Sequence, residues 1–221
     1  MGQDMGKNDA RSIRENYDRL ADEYAVHLFD ELLYKPLDRD LLDRFASEVR
    51  VPGEVCDLGC GPGQVARYLH EAGTKVFGLD LSPQMVDNAR QLTPDVRFVE
   101  GNMLALEIAD QSIAGIASFY AIVNIPEPSL PQIFKEMARV LRPDGLLLLA
   151  FHIGDQVVEV TDLWGRQVTM DFFFFLPSTI GKYLKEAGFR IEDVIEREPY
   201  GPEVEHQSRR AYIFARKPDT G

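Results

Sequence analysis

Apolar residues between positions 9 and 49 recur at helical spacing. Ile13, Tyr17, Leu20 and Tyr24 are separated by four, three and four positions, which places them on one helix face. Leu37, Leu41, Leu42 and Phe45 repeat the pattern over residues 37–45, with Pro36 as its start signal. From Val51 the texture changes. Short apolar runs at 54–58, 75–81, 96–100, 113–119 and 145–151 alternate with segments of helical periodicity at 64–71, 82–91 and 130–141. Ser82-Pro83 pairs an N-cap residue with a first-turn proline. Strands that are apolar throughout and separated by helices predict a parallel sheet covered on both faces.

The last third reads differently. Residues 157–161 and 167–173 flank Trp164-Gly165 and predict a hairpin arm. A helix over 178–187 is closed by Gly188. Two strands, 189–197 and 209–216, follow closely enough to pair antiparallel at the sheet edge. The first eight and last four residues are expected to be disordered.

Composition narrows the function classes. A chain of 221 residues, 45% hydrophobic, fits one domain with its own core. It carries no apolar run of about 18 residues. Residues 1–10 are polar and lack the apolar stretch of a signal peptide. Cys56 and Cys60 supply too few ligands for a tetrahedral zinc site and no disulfide framework. No metal is expected, and the thiols fit a reduced, cytoplasmic setting. The formal net charge of −12 disfavours nucleic acid, because that binding rests on neutralising phosphates. A small-molecule substrate is expected, with no membrane partner, in a monomer or homodimer.

Residues 55–63 are the most informative segment: Val-Cys-Asp-Leu-Gly-Cys-Gly-Pro-Gly. They end the first strand and open a helix, where glycines permit close backbone approach and the helix N-terminus offers free N–H groups. The dinucleotide fingerprint G-x-G-x-x-G is not met, because position 64 is Gln. The pattern is D-x-G-x-G-x-G, carried by Asp57, Gly59, Gly61 and Gly63. Asp80 ends the second strand, where a carboxylate accepts bonds from ribose hydroxyls in any adenosine site.

Together these residues resemble the first motifs of class I S-adenosylmethionine-dependent methyltransferases of small-molecule type. The resemblance implies a Rossmann-like α/β domain. Its sheet has seven mostly parallel strands with an antiparallel last strand, and helices on both faces. It divides residues 1–221 into an N-terminal helical lid (1–50), a cofactor core (51–153), an arm over the substrate side (154–177) and a C-terminal helix with two antiparallel strands (178–221). It implies S-adenosyl-L-methionine as cofactor and S-adenosyl-L-homocysteine as product. Asp57 would lie beneath the loop and help hold the methionine portion, partly through water. Leu81 and Met85 would pack on the adenine, although Met85 also reads as simple core. The loop of Asn102 and Met103 would read the adenine edge. Many members have Asp at position 102, and Asn retains a carbonyl acceptor. Phe119 and Tyr120 end the fourth strand, where sulfonium and acceptor meet. Tyr17 and Tyr24 match a lid helix closing over the cofactor, or are ordinary half-buried helix residues. The acid that usually enters the fourth strand is missing, with Ala114-Gly115 in its place. Residues 141–145 make the turn before the fifth strand.

The acceptor is less legible. Methyl transfer from a sulfonium needs positioning and, for a hydroxyl or ammonium, removal of a proton. His152, at the C-terminal end of the fifth strand, is the candidate base, with a structural histidine as the alternative. Asn124 stands where several related enzymes carry a histidine base, and it can only orient an acceptor. Trp164 and Phe174 would wall an apolar pocket, in an arm that is either a lid or structural, with His206 and Arg209 nearby. Phe172 and Phe174 should share one face of that arm, Phe173 and Phe175 the other. The reading is methyl transfer to oxygen or nitrogen of a small molecule. Its rivals are a non-catalytic module of the same fold and an NAD(P)-dependent oxidoreductase.

Overall fold

The computed structural model describes residues 9–49 and 51–219. The disorder expected of residues 1–8, 220 and 221 falls outside the described residues. The N-terminal segment forms α1 (Ala10–Leu28), a short 3-10 turn (Glu31–Tyr34) and α2 (Pro36–Glu48). Asp9 caps α1 by accepting from Ser12 N, and Pro36 opens α2. Ile13 and Leu20 of α1 are buried with Asn16, while Tyr17 and Tyr24 are half-buried beside them.

The alternating region builds β1 (Val55–Leu58), α3 (Gln64–Glu71), β2 (Val76–Asp80), α4 (Pro83–Leu92), β3 (Arg97–Glu100), β4 (Ile113–Phe119), α5 (Leu130–Val140) and β5 (Leu141–His152). Ser82 caps α4 by accepting from Met85 N, as the Ser-Pro pair foretold. In α5, Leu130, Ile133, Phe134, Met137 and Val140 form one buried stripe, so tertiary burial and local periodicity agree. The arm is β6 (Val157–Leu163) paired antiparallel with β7 (Arg166–Phe173). Then come α6 (Pro177–Glu186), β8 (Arg190–Arg197) and β9 (Arg210–Arg216).

The main sheet has seven strands in the order β3-β2-β1-β4-β5-β9-β8. The first five run parallel, and β9 is antiparallel to both neighbours. Two details of this sheet go beyond the sequence reading. The last two strands pair antiparallel at the sheet edge as expected, with β9 fully buried against β5 and β8 outermost on that side. The turn expected over 141–145 is a bulge inside a longer β5: Leu141 pairs with Ile113 and Leu146 with Gly115, and Asp144 takes φ +60°.

Strand order reverses between β1 and β4. The carboxyl ends of those strands form the crevice where open α/β sheets bind ligands. Helix α1 lies over that crevice. Asn16 ties it to the arm in both directions, donating to Thr169 O (2.9 Å) and accepting from Thr169 N (3.1 Å). Leu20 packs with Val168 and Met170 of β7. Ser82 Oγ donates to Asp18 Oδ1 (2.6 Å) and joins α1 to α4. Among the described residues no helix is long and apolar enough to cross a membrane.

Candidate functional site

A cavity of about 770 Å³ opens at the switch point between β1 and β4. Its floor begins at the glycine loop. Gly59, Gly61 and Gly63 take φ of +76°, +51° and +89°, conformations that side chains disfavour. The constraint differs at each. A Cβ on Gly59 would lie 2.3 Å from the Ala121 Cβ, so the loop rests directly on the segment after β4. A Cβ on Gly61 would meet nothing within 4 Å. Gly61 lines the cavity, so that open space belongs to whatever the cavity holds. Gly63 instead caps α3 and does not line the cavity.

Asp57 sits beneath the loop, buried, and accepts from Ala66 N (2.9 Å). Burial pushes its carboxyl up to about 8. It lies behind the cavity wall and not on its surface. Its bond joins β1 to α3.

Asp80 lines the cavity at the end of β2. Its two oxygens accept from Gly61 N and Ser82 N, each at 2.9 Å. Each keeps a lone pair for a further donor. Leu81, Met85 and Met103 supply apolar wall beside it. Asn102 also lines the cavity, but its carbonyl closes a turn by accepting from Leu104 N (2.9 Å). The lid residues come to the same cavity. Tyr17 Oη donates to Asn124 Oδ1 (2.5 Å), and Asn124 Nδ2 donates to Asp171 O (2.9 Å). Asn124 thus joins α1, the segment after β4 and the arm. Tyr17, Tyr24 and Trp164 form a run of edge-to-face rings.

Phe119, Tyr120, His152 and His206 wall the part beyond β4 and β5, and Phe172 and Trp164 line the cavity beside the lid tyrosines. Tyr120 takes φ +56°, a strained conformation for a side-chain-bearing residue at the tip of a central strand. His152 lies between rings, with centroids 5.0 Å from Tyr120 and 5.1 Å from Phe174. Burial, with Arg210 and His206 nearby, pushes it down to about 3. Its Nδ1 is 2.8 Å from Ser208 Oγ. Arg210 Nη1 donates to that oxygen (3.1 Å). Ser208 Oγ donates to an unprotonated Nδ1 or accepts from a protonated one, so the ring's tautomer sets which nitrogen carries the hydrogen.

Two substrate candidates lie elsewhere. Phe174 is buried and stacks on His152, and Phe172 lines the cavity, while Phe173 and Phe175 stack on each other as the alternation expected. Arg209 is exposed and pairs with Glu196 (2.8 Å) and Glu198 (3.1 Å). Several lining residues carried no local sequence signal: Glu31, Lys35, Gln64, Glu205 and Arg210. Lys35 pairs with Glu31 and Glu205, and Arg210 with Glu205 (3.1 Å). Burial works against the Glu205 charge, yet the bond from Arg197, the Tyr200 N–H and the charges of Arg210 and Arg197 together outweigh it and hold the carboxyl down to about 2.

The donor set fits an adenosyl cofactor. A carboxylate stands at the end of β2, an open glycine cradle faces the cavity at Gly61, and apolar side chains wall the space between. The relationships to known proteins point the same way. A family model described as a methyltransferase domain matches residues 55–145. The chain is 33% identical over 181 residues to a demethylmenaquinone methyltransferase of Chlorobaculum parvum, covering 79% of this chain and 72% of that protein. It is 33% identical over 137 residues to a malonyl-acyl-carrier-protein O-methyltransferase of Pectobacterium atrosepticum, covering 56% of this chain. It spans about half the length of that second relative, 53%. A crystal structure of a SAM-dependent methyltransferase from Methanosarcina mazei superposes with a TM-score of 0.70 at 18% identity, over 78% of this chain and 95% of that one, and shows the shared fold. By this sequence relationship and this fold, the chain belongs to the class I S-adenosylmethionine-dependent methyltransferase family.

Proposed function

We propose that the protein transfers a methyl group from S-adenosylmethionine to an oxygen or nitrogen of a small molecule. The observation that carries this reading is the continuity of one cavity. It runs from Gly61 and Asp80, through the Tyr17–Asn124 latch, to Tyr120 and His152. Asp80 would hold the ribose, Leu81, Met85 and Met103 the adenine, and the loop from Gly59 to Gly61 the methionine end. The cofactor, when bound, supplies an electrophilic methyl group on a sulfonium whose leaving group is a neutral thioether.

The chain's own residues then have three tasks. The first is to seat the acceptor, for which His152 is placed: its Nδ1 is engaged by Ser208, and burial makes the ring a weak base. This supports a positioning role over a basic one. The second is to exclude water, which α1 and the arm do together through Asn16 and Asn124. The third is to take up the acceptor's proton. The relatives are named for malonyl-acyl-carrier protein and demethylmenaquinone, so their names differ in acceptor and assign none to this chain. The test is release of S-adenosylhomocysteine across a panel of phenols, alcohols, amines and carboxylic acids. Turnover with a phenol, alcohol or amine supports the proposal. Release with none of the panel, from protein that binds the cofactor, would turn the reading toward a non-catalytic module.

A further inference from the structure

Beneath Tyr120 the structure holds polar groups that no motif announced. Tyr212 of β9 and Asp38 of α2 are buried, the latter with 1% of its surface exposed. Tyr212 Oη makes three contacts. It donates to Asp38 Oδ2 (3.0 Å), accepts from Arg197 Nε (3.0 Å), and lies 3.2 Å from Tyr120 Oη. Arginine only donates and an ionised carboxylate only accepts, so two of the three directions are set. Tyr212 has one hydrogen, already given to Asp38. The third contact therefore runs from Tyr120 to Tyr212. Three groups align donor to acceptor, from the cavity wall to a carboxylate.

Two further observations give the alignment a use. Asp38 Oδ1 is buried and has no hydrogen-bond partner among the described residues. A carboxylate with one idle oxygen in a dry site is readied to become a carboxylic acid. Tyr120 has spent its hydrogen inward, which leaves its oxygen lone pairs as what it offers a ligand. The charges around the chain are matched. Lys35 and Arg210, the lysine and arginine among the described residues lining the cavity, are both paired with glutamates. An anionic acceptor would meet no unpaired cation of that kind there.

We propose that Tyr120, Tyr212 and Asp38 form a proton relay that deprotonates a neutral protic acceptor, a hydroxyl or amine, during methyl transfer. This rests on the methyl-transfer reading and names its substrate class. As the acceptor's O–H or N–H bond breaks, its proton passes to Tyr120 Oη, that of Tyr120 to Tyr212 Oη, and that of Tyr212 to Asp38 Oδ2. The electron pair stays on the acceptor heteroatom, which forms the new bond to carbon. Nothing is oxidised or reduced. The chain resets by the reverse transfer once the product leaves and water enters the cavity. Neither tyrosine becomes a free phenolate: burial pushes both hydroxyls up, so each passes a proton on as it receives one. Arg197 and Lys35 face Asp38 and favour its charge, Tyr212 bonds to it, and Glu31 opposes it. Burial outweighs them and raises its carboxyl above the ordinary range.

The test reads the wiring without turnover. Aspartate side-chain carboxyls are labelled with carbon-13 and titrated by NMR, with Asp38 identified by its loss in Asp38→Asn. Asp38 is expected to titrate above the ordinary aspartate range, and Tyr212→Phe should raise it further by removing a donor. Tyr120→Phe should raise it too, by less, because a polarised chain transmits the loss of its far member. An unmoved Asp38 in Tyr120→Phe, in protein that still binds S-adenosylhomocysteine, overturns the relay and leaves the methyl-transfer reading in place. A coupled titration in protein that does not bind it keeps the wiring and removes that reading. With a hydroxyl or amine acceptor, Tyr212→Phe, which keeps the ring's packing, should lower kcat by about 10²–10⁴-fold with KM little changed. Undiminished kcat in that variant counts against the relay.

Discussion

Substituting alanine separately at Gly61 and Gly59 separates the loop's two duties. Both positions have left-handed φ, so either alanine costs about 1–2 kcal/mol of stability from backbone strain. At Gly61 that is the whole structural cost, because the new Cβ meets no atom within 4 Å. For a domain of this size the midpoint should fall by roughly 2–8 °C. At Gly59 the Cβ would lie 2.3 Å from the Ala121 Cβ, and overpacking adds about 1–3 kcal/mol. The midpoint should then fall by roughly 4–20 °C. Binding should order the two differently. If the open space at Gly61 is the cofactor's, its methyl group intrudes on the ligand and costs about 1–3 kcal/mol of affinity. That is roughly 5- to 150-fold in Kd. Thermal unfolding without ligand and calorimetry with S-adenosylhomocysteine read the two effects. A Gly61→Ala protein that binds with wild-type affinity would refute the placement of the cofactor against this loop.

Asp80→Ala removes the carboxylate at the end of β2, and S-adenosylhomocysteine affinity should drop by about 2–4 kcal/mol; unchanged affinity would displace the ribose from this position. Asp57 is raised in the folded protein, which therefore binds more protons than the unfolded chain between about 4 and about 8. Its contribution to stability is full below that window and lost as pH rises through it, so chemical denaturation of Asp57→Asn should show a flatter decline from pH 5 to 8 than wild type. A slope identical to wild type would mean Asp57 is not the group titrating there. Asn16→Ala breaks both bonds between α1 and β7, and amide exchange should speed up in the two elements together. Faster exchange in α1 alone would show that the arm holds its place without the helix.

Local features of the chain were legible and long-range ones were not. The glycine loop, Asp80 and the helix starts at Ser82 and Pro36 each depend on a few neighbouring residues, and each stands where its pattern put it. Alternation of strand and helix was enough for a parallel sheet, because strands buried on both faces are apolar throughout. The insertion of β9 against β5 was invisible, since pairing two neighbouring strands says nothing about which of them reaches the sheet first. Alternation put Phe173 and Phe175 together but could not show that Phe174 stacks on His152 and lies off the cavity surface. The floor under Tyr120 had no local signature. Asp38 meets Tyr212 across 174 positions and Arg197 across 159, and an aspartate in the first turn of α2 reads as a favourable helix charge and nothing more.

Titration calorimetry with S-adenosylhomocysteine, beside NAD under the same conditions, tests the central claim most directly. The account predicts one S-adenosylhomocysteine per chain, an affinity reduced in Asp80→Ala and in Gly61→Ala, and no heat with NAD. Saturable binding of NAD with none of S-adenosylhomocysteine would contradict it.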